Sequence, residues 1–169
     1  VLDIPTHNQT LLMKLLHKFF NKHDLPWVKM LWGTYYTKHS PGAKVIGLFW
    51  WKDTMKLLPT FQQFASCKEG IRDTIRLWKD PWNETPLHQK YPELYSFTTH
   101  MDITLQIALL VGNRENLFHR PLSSAAHQQF MEIQDLLQNL PTVEHKVSWT
   151  YKWTTPTYSS IKMYKCLMD

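Results

Sequence analysis

The chain has 169 residues, a formal charge of +5 from 19 Lys+Arg against 14 Asp+Glu, and 43% hydrophobic residues, a balance that supports a packed core and excludes wholesale disorder. Five glycines leave little material for a phosphate-cradling loop or a dinucleotide fold, and the two cysteines, Cys67 and Cys166, exclude a disulfide framework and an all-cysteine zinc site. The longest apolar run, Ile107 to Val111, is far short of the roughly 20 residues of a membrane-spanning helix. Asp3, Pro5 and His7 break up the start as a secretory leader, so an intracellular setting is expected, with nucleus and cytoplasm equally open. Val1 stands where an initiator Met would, and the chain is read as a segment of a longer protein.

Leu11, Leu12, Leu15, Leu16, Phe19 and Phe20 form a stripe that predicts a helix from Thr6 to Lys22. Thr6 is its expected N-cap, with Gln9 three residues on and Pro5 just ahead. Asp24 is expected to cap a second helix with Pro26 in its first turn and Trp27, Met30, Leu31 and Tyr35 on its apolar side, and Gly33 to Gly42 to form a loop. Leu48 to Phe64 reads as a helix broken near Pro59, offering Phe49, Trp50, Leu57, Phe61 and Phe64 to the core. After a turn at Glu69-Gly70, Thr74 to Trp78 alternates as a strand does, and Asp80-Pro81 and Asn83 end it. Tyr91 to Phe97 and Ile103 to Leu110 are expected short helices. Ser123 to Leu140 is a longer one, capped by Ser123 or Ser124 and stopped by Pro141. Val147 to Trp153 alternates again, and a last helix runs from Tyr158 to Met168 with Ile161, Tyr164 and Leu167 on its apolar side. The expected fold class is α+β, predominantly α-helical, with one small antiparallel sheet in which 74–78 pairs with 147–153. Two segments are expected, a basic helical one over 1–66 and a mixed helical and strand module over 67–169, compatible with packing as one domain.

The charge is unevenly spread. Residues 1–66 hold eight lysines against three aspartates, 67–141 hold seven bases against nine acids, and 142–169 four against two, so the first segment is the expected face for a polyanion. Lys14, Lys18 and Lys22 recur every fourth residue, about 6 Å apart along a helix axis, a pitch that can follow a phosphate backbone. Lys29 on the next helix is taken with them as a candidate nucleic-acid contact. The nine histidines are scattered, without a Cys or carboxylate completing a ligand set, and no Asp-Asp pair or Gly-x-Ser-x-Gly occurs. No catalytic residue, metal ligand or cofactor is therefore assigned, and scattered histidines are expected to be surface or capping residues. Trp78, Asp80, Trp82, Trp149 and Trp153 are assigned to a structural aromatic and turn cluster. Within it Asp80 is expected to accept backbone or indole N–H bonds, and the rings to form a core wall more readily than to stack bases.

Several blocks, in order, resemble one region of plant non-LTR (LINE-type) retroelement polyproteins. They are Val1 to Ile4 with Leu11 to Lys22, Leu25-Pro26-Trp27-Val28 with Leu31-Trp32, Phe49-Trp50 with Leu57-Leu58-Pro59, Ile75 to Trp82 with Pro86-Leu87 and Tyr91-Pro92, and Trp149 to Trp153 with Tyr158 to Tyr164. The region lies between the polymerase core and the reverse-transcriptase zinc-binding region. The resemblance implies a non-catalytic, thumb-like or connecting module of an RNA-directed DNA polymerase that helps to hold template and primer. The paired polymerase aspartates would lie upstream and the zinc-binding Cys/His set beyond Asp169, so neither is carried onto this chain. Implied partners are RNA or an RNA–DNA duplex and the parent's polymerase domain, with no membrane and no small-molecule substrate. The alternative is a repurposed or decayed element fragment acting as a protein-interaction or scaffold domain, suggested by the many Trp and Met residues.

Overall fold

Helix α1 (Ile4–Phe20) organises the first half of the chain. In the computed structural model, which describes residues 3–37, 40–68, 74–141 and 148–169, it begins one turn earlier than its periodicity predicts. Asp3 is the N-cap and Pro5 sits in the first turn, where its missing N–H costs nothing. Thr6 is therefore inside the helix, its hydroxyl donating to the Asp3 carboxylate, and the Thr6–Gln9 capping box does not form. The buried side is also rotated from the expected stripe. Met13, Leu16, Phe19 and Phe20 are fully covered, whereas Leu11 and Leu12 face solvent; the helices Phe49–Met55, Leu58–Phe64 and Ser160–Met168 and the strand Ser148–Tyr151 pack on α1.

Helix α2 (Pro26–Tyr35) takes Leu25 rather than Asp24 as N-cap, with Pro26 at its start, and runs through Gly33. The expected loop thus begins after Tyr35. Val28 and Leu31 are its buried residues, and Met30 is exposed. Helices α3 (Phe49–Met55) and α4 (Leu58–Phe64) are the broken helix, parted at Lys56-Leu57 so that Pro59 falls in the first turn of α4. Trp51 and Phe61 enter the core while Phe49 stands outside it, 80% exposed.

The one sheet among the described residues is two-stranded and antiparallel, which bears out the fold class, but one partner strand differs from expectation. Strand β2 (Ser148–Tyr151) pairs with β1 (Ala65–Lys68), in the register Ala65 to Tyr151 and Cys67 to Trp149. Ala65, Cys67, Trp149 and Tyr151 share the buried face, and Ser66 and Thr150 meet hydroxyl to hydroxyl at 3.0 Å on the other. Two small residues opposite two large aromatics make a flat, filled pair. Residues 74–78 instead form turns with a single antiparallel bridge, Arg76 to Thr104, flanked by Leu77 N–H to Ile103 O at 2.9 Å and Leu105 N–H to Ile75 O at 2.7 Å. All five are buried, polar and apolar alike, so their alternation does not mark a one-sided strand, and the ladder stops after one rung.

Two compact units result. One comprises Val1–Lys68 and Lys146–Asp169, the other Glu69–His145. The expected boundary after residue 66 falls inside β1, and the C-terminal residues, with α9 (Ser160–Met168), belong to the first unit. The second unit holds α5 (Leu87–Lys90), α6 (Pro92–Ser96), α7 (Leu105–Leu110) and α8 (Ser124–Gln138). Ser123 caps α8 by accepting from Ala126 N, as its sequence predicts, and Ala126, Phe130, Ile133 and Leu137 form the buried stripe. Gln129 on α8 accepts the Leu94 N–H at 2.9 Å and ties α6 to it. The expected turn at Glu69-Gly70 and the residue Val147 lie outside the described residues.

Candidate nucleic-acid interface

The two units divide the charge more sharply than the linear segments do. The first holds thirteen lysines, no arginine and four acids, a net +9, and the second holds six bases against ten acids, a net −4. Lysine ammonium groups are compact, hydrated point charges suited to phosphate neutralisation without a fixed bidentate geometry.

Of the four candidate lysines, two keep the expected arrangement. Lys14 is exposed and Lys18 partly so, one turn apart on α1. Lys22 leaves the row, because the helix ends first. Asn21 is the C-cap, and Lys22 N–H donates to Phe19 O and His23 N–H to Lys18 O, both at 3.0 Å, with Lys22 at φ 47°. This is a Schellman closure with Lys22 in the left-handed position usually given to glycine. Its ammonium lies over the Trp32 ring, 4.8 Å from the centroid, and that ring stacks on Phe19 at 4.5 Å. Lys29 pairs with Asp24, both side chains largely exposed, so its charge is locally offset.

Directly between Lys14 and Lys18 in sequence lies His17, which is buried rather than a surface residue. Tyr151 Oη is 2.5 Å from its Nδ1, and Asn21 Nδ2 is 3.1 Å from the same nitrogen while donating to His17 O at 2.8 Å. Asn21 Oδ1 accepts the Trp149 N–H at 3.2 Å, so α1 and β2 are joined twice. Burial pushes the Tyr151 phenol well above its usual range, with Tyr158 adding to it. The phenol therefore remains the donor, Nδ1 accepts, and the imidazole proton sits on Nε2. His17 is held down to about 4, first by burial and then by the positive charge of His23, Lys18 and Lys14. The Tyr158 ring stacks on His17 at 5.9 Å, and its hydroxyl donates to Thr10 O at 2.6 Å. The result is a neutral polar network beneath the most basic stretch of α1.

The residues assigned to the aromatic and turn cluster divide between the two units. Trp149 and Trp153 belong to the first unit and Trp78, Asp80 and Trp82 to the second. Trp149 is core, in contact with Phe20 and Phe61 at 5.1 and 5.6 Å. Trp153 stacks on Tyr151 and remains partly exposed. In the second unit Trp78 is buried against Tyr95 and Phe118. Asp80 accepts the Arg76 N–H at 2.7 Å, as a turn aspartate does, and also takes the Arg76 guanidinium through Nε at 3.1 Å and a terminal nitrogen at 2.8 Å. Both side chains are almost fully buried, and Lys79 pairs with Asp102 at 2.9 Å beside them. The Trp82 indole donates to Leu77 O at 2.8 Å, not to Asp80. This clip folds 76–82 back on itself, a structural role.

Sequence reasoning overlooked Arg76 as the partner of Asp80, although the i,i+4 spacing was visible, and overlooked the His17–Tyr151 pair, which joins residues 134 positions apart. Among the described residues no group of three or more His, Cys, Asp or Glu could hold a metal ion, and no helix is long and apolar enough to cross a membrane. No family model matches the chain, and no curated protein or solved structure matches it significantly.

Proposed function

We propose that the chain is a non-catalytic segment of a retroelement-type reverse transcriptase and that its basic unit helps to hold RNA or an RNA–DNA duplex. The observation that carries the reading is the net +9, all of it lysine, gathered on the unit that contains Lys14 and Lys18. A backbone polyanion binds such a surface by releasing counterions, without base-specific contacts. The ordered resemblance to the region downstream of a polymerase core supplies the context, with the polymerase domain of the parent protein as the neighbouring partner. A protein-interaction role is the second reading, favoured by the large exposed apolar side chains Phe49, Leu110, Ile161 and Ile4.

Lysine footprinting tests the first reading. The full chain is acetylated with and without a saturating RNA–DNA duplex, and each lysine is followed by mass spectrometry. Protection is expected at Lys14 and Lys18, with Lys79 and Lys90 of the acidic unit unchanged. Uniform protection, or none, would count against it.

A further inference from the structure

The partly exposed Trp153 is held in an unusual way. Its indole lies flat on Tyr151, with ring centroids 4.7 Å apart and planes 9° from parallel. Tyr158 is 5.5 Å from Tyr151 and 6.3 Å from Trp153, in both cases edge to face, so it stands beside this stack and not across it. Among the described residues no other ring covers the second face of the indole. The indole N–H is already used, donating to Thr157 O at 3.2 Å. The chain turns back immediately afterwards, with Thr154 N–H donating to Tyr151 O at 2.7 Å and Thr154 at φ 63°, a left-handed conformation that is costly for a β-branched residue. The ring's orientation is set by the Tyr151 stack and the bond to Thr157 O.

Beneath the stack, Tyr151 is bonded to His17, and His17 feels the charges of Lys14, Lys18 and His23. A partly exposed indole thus stacks on a tyrosine whose bonded partner, His17, is next to Lys18 and one turn from Lys14 on α1. Stacking on such a ring is tolerant of base identity, since every base has a π-face, and the flanking cations track the backbone.

We propose that the outer face of Trp153 is a stacking platform for an unpaired nucleobase. The basic unit then takes a single strand, or the single-stranded end of a duplex, with neighbouring phosphates on Lys14 and Lys18. This inference rests on the nucleic-acid reading above and adds the ligand class. A fully paired helix offers base faces only at its two ends, whereas a single strand offers one at every nucleotide, so the platform favours the single strand.

The test measures affinity of the full chain for oligothymidylate and for a blunt RNA–DNA duplex, in wild type, Trp153→Ala and Trp153→Phe. Trp153→Ala is expected to weaken oligothymidylate binding about tenfold, the scale of losing one stacked base, while duplex affinity stays within about twofold because phosphate contacts dominate it. Trp153→Phe keeps a ring and loses only the N–H, so it is expected to retain most of the single-strand affinity. The platform is overturned if the wild type does not bind the single strand, if Trp153→Ala binds it normally, if both ligands weaken alike, or if Phe is as damaging as Ala. Duplex binding that persists through any of these failures leaves the nucleic-acid reading standing. A wild type that binds neither ligand removes both.

Discussion

The two units face one problem, a buried polar group, and solve it in opposite ways. In the acidic unit Arg76 is buried as a cation and matched by Asp80 in a short clip with two side-chain bonds and a backbone bond. In the basic unit His17 is buried as a neutral ring, with Tyr151 and Asn21 satisfying Nδ1 and no carboxylate among its bonded partners. The difference follows from the surroundings. Burial first disfavours the charged imidazole, and the neighbouring positive charge of a unit at net +9 adds to it, so a neutral ring is the cheaper occupant. A unit at net −4 accommodates a guanidinium with its own carboxylate. The surface charge proposed to serve nucleic-acid contact thus also constrains which polar groups the interior can hold.

The largest expected effect lies in the acidic unit. Asp80→Ala leaves the buried Arg76 guanidinium with only the partly exposed Asp102 carboxylate, 4.0 Å from one terminal nitrogen, and removal of one member of a buried pair costs about 3–5 kcal/mol. Urea unfolding, with hydrogen exchange followed in peptides covering 74–82, is expected to show this loss. The double variant Arg76→Met/Asp80→Leu is expected to recover most of it, because a packed apolar pair carries no desolvation cost. A loss below about 1 kcal/mol in Asp80→Ala would mean that the clip is incidental.

The basic unit is expected to respond to pH instead. His17 titrates at about 4 in the folded chain and at 6.5 when free, so the folded state favours the neutral ring. Its contribution is complete above about pH 6.5, declines as the pH falls, and is lost by about pH 4, a change of about 3 kcal/mol for a shift of this size. Denaturation midpoints between pH 7 and 4 check this, with His17→Gln expected to flatten that part of the profile. A steeper acid loss in the variant than in wild type would contradict the neutral assignment.

The elements that could be read from sequence are those whose signals are local. Ser123, the apolar residues Phe130, Ile133, Leu136, Leu137 and Leu140, and Pro141 announce α8, with Phe130, Ile133 and Leu137 buried, and Pro59 marks the break between α3 and α4. Strand β1 was illegible because Ala65, Ser66, Cys67 and Lys68 carry no bulky alternation. Their small size makes sense only opposite Trp149 and Tyr151. For the candidate site, Lys14 and Lys18 were legible from helical spacing. Lys22 was misjudged because its left-handed closure lacks the glycine that ordinarily announces one. The pairing of Lys29 with Asp24 was not legible because it spans a loop into α2. The five aromatic and turn residues fall in two units because β2 folds with the N-terminal unit across an inserted segment, a topology no local pattern records.

The central claim is that nucleic-acid contact belongs to the lysines of the basic unit. Its most direct test is the salt dependence of RNA–DNA duplex affinity for wild type, Lys14→Ala/Lys18→Ala and, from the other unit, Lys90→Ala/Arg114→Ala. Each phosphate contact contributes about 0.7–0.9 to the slope of log K against log salt. The first double variant is expected to lower the slope by about 1.5, and the second to leave it unchanged. Equal slopes in wild type and Lys14→Ala/Lys18→Ala, or a loss confined to Lys90→Ala/Arg114→Ala, would contradict the claim.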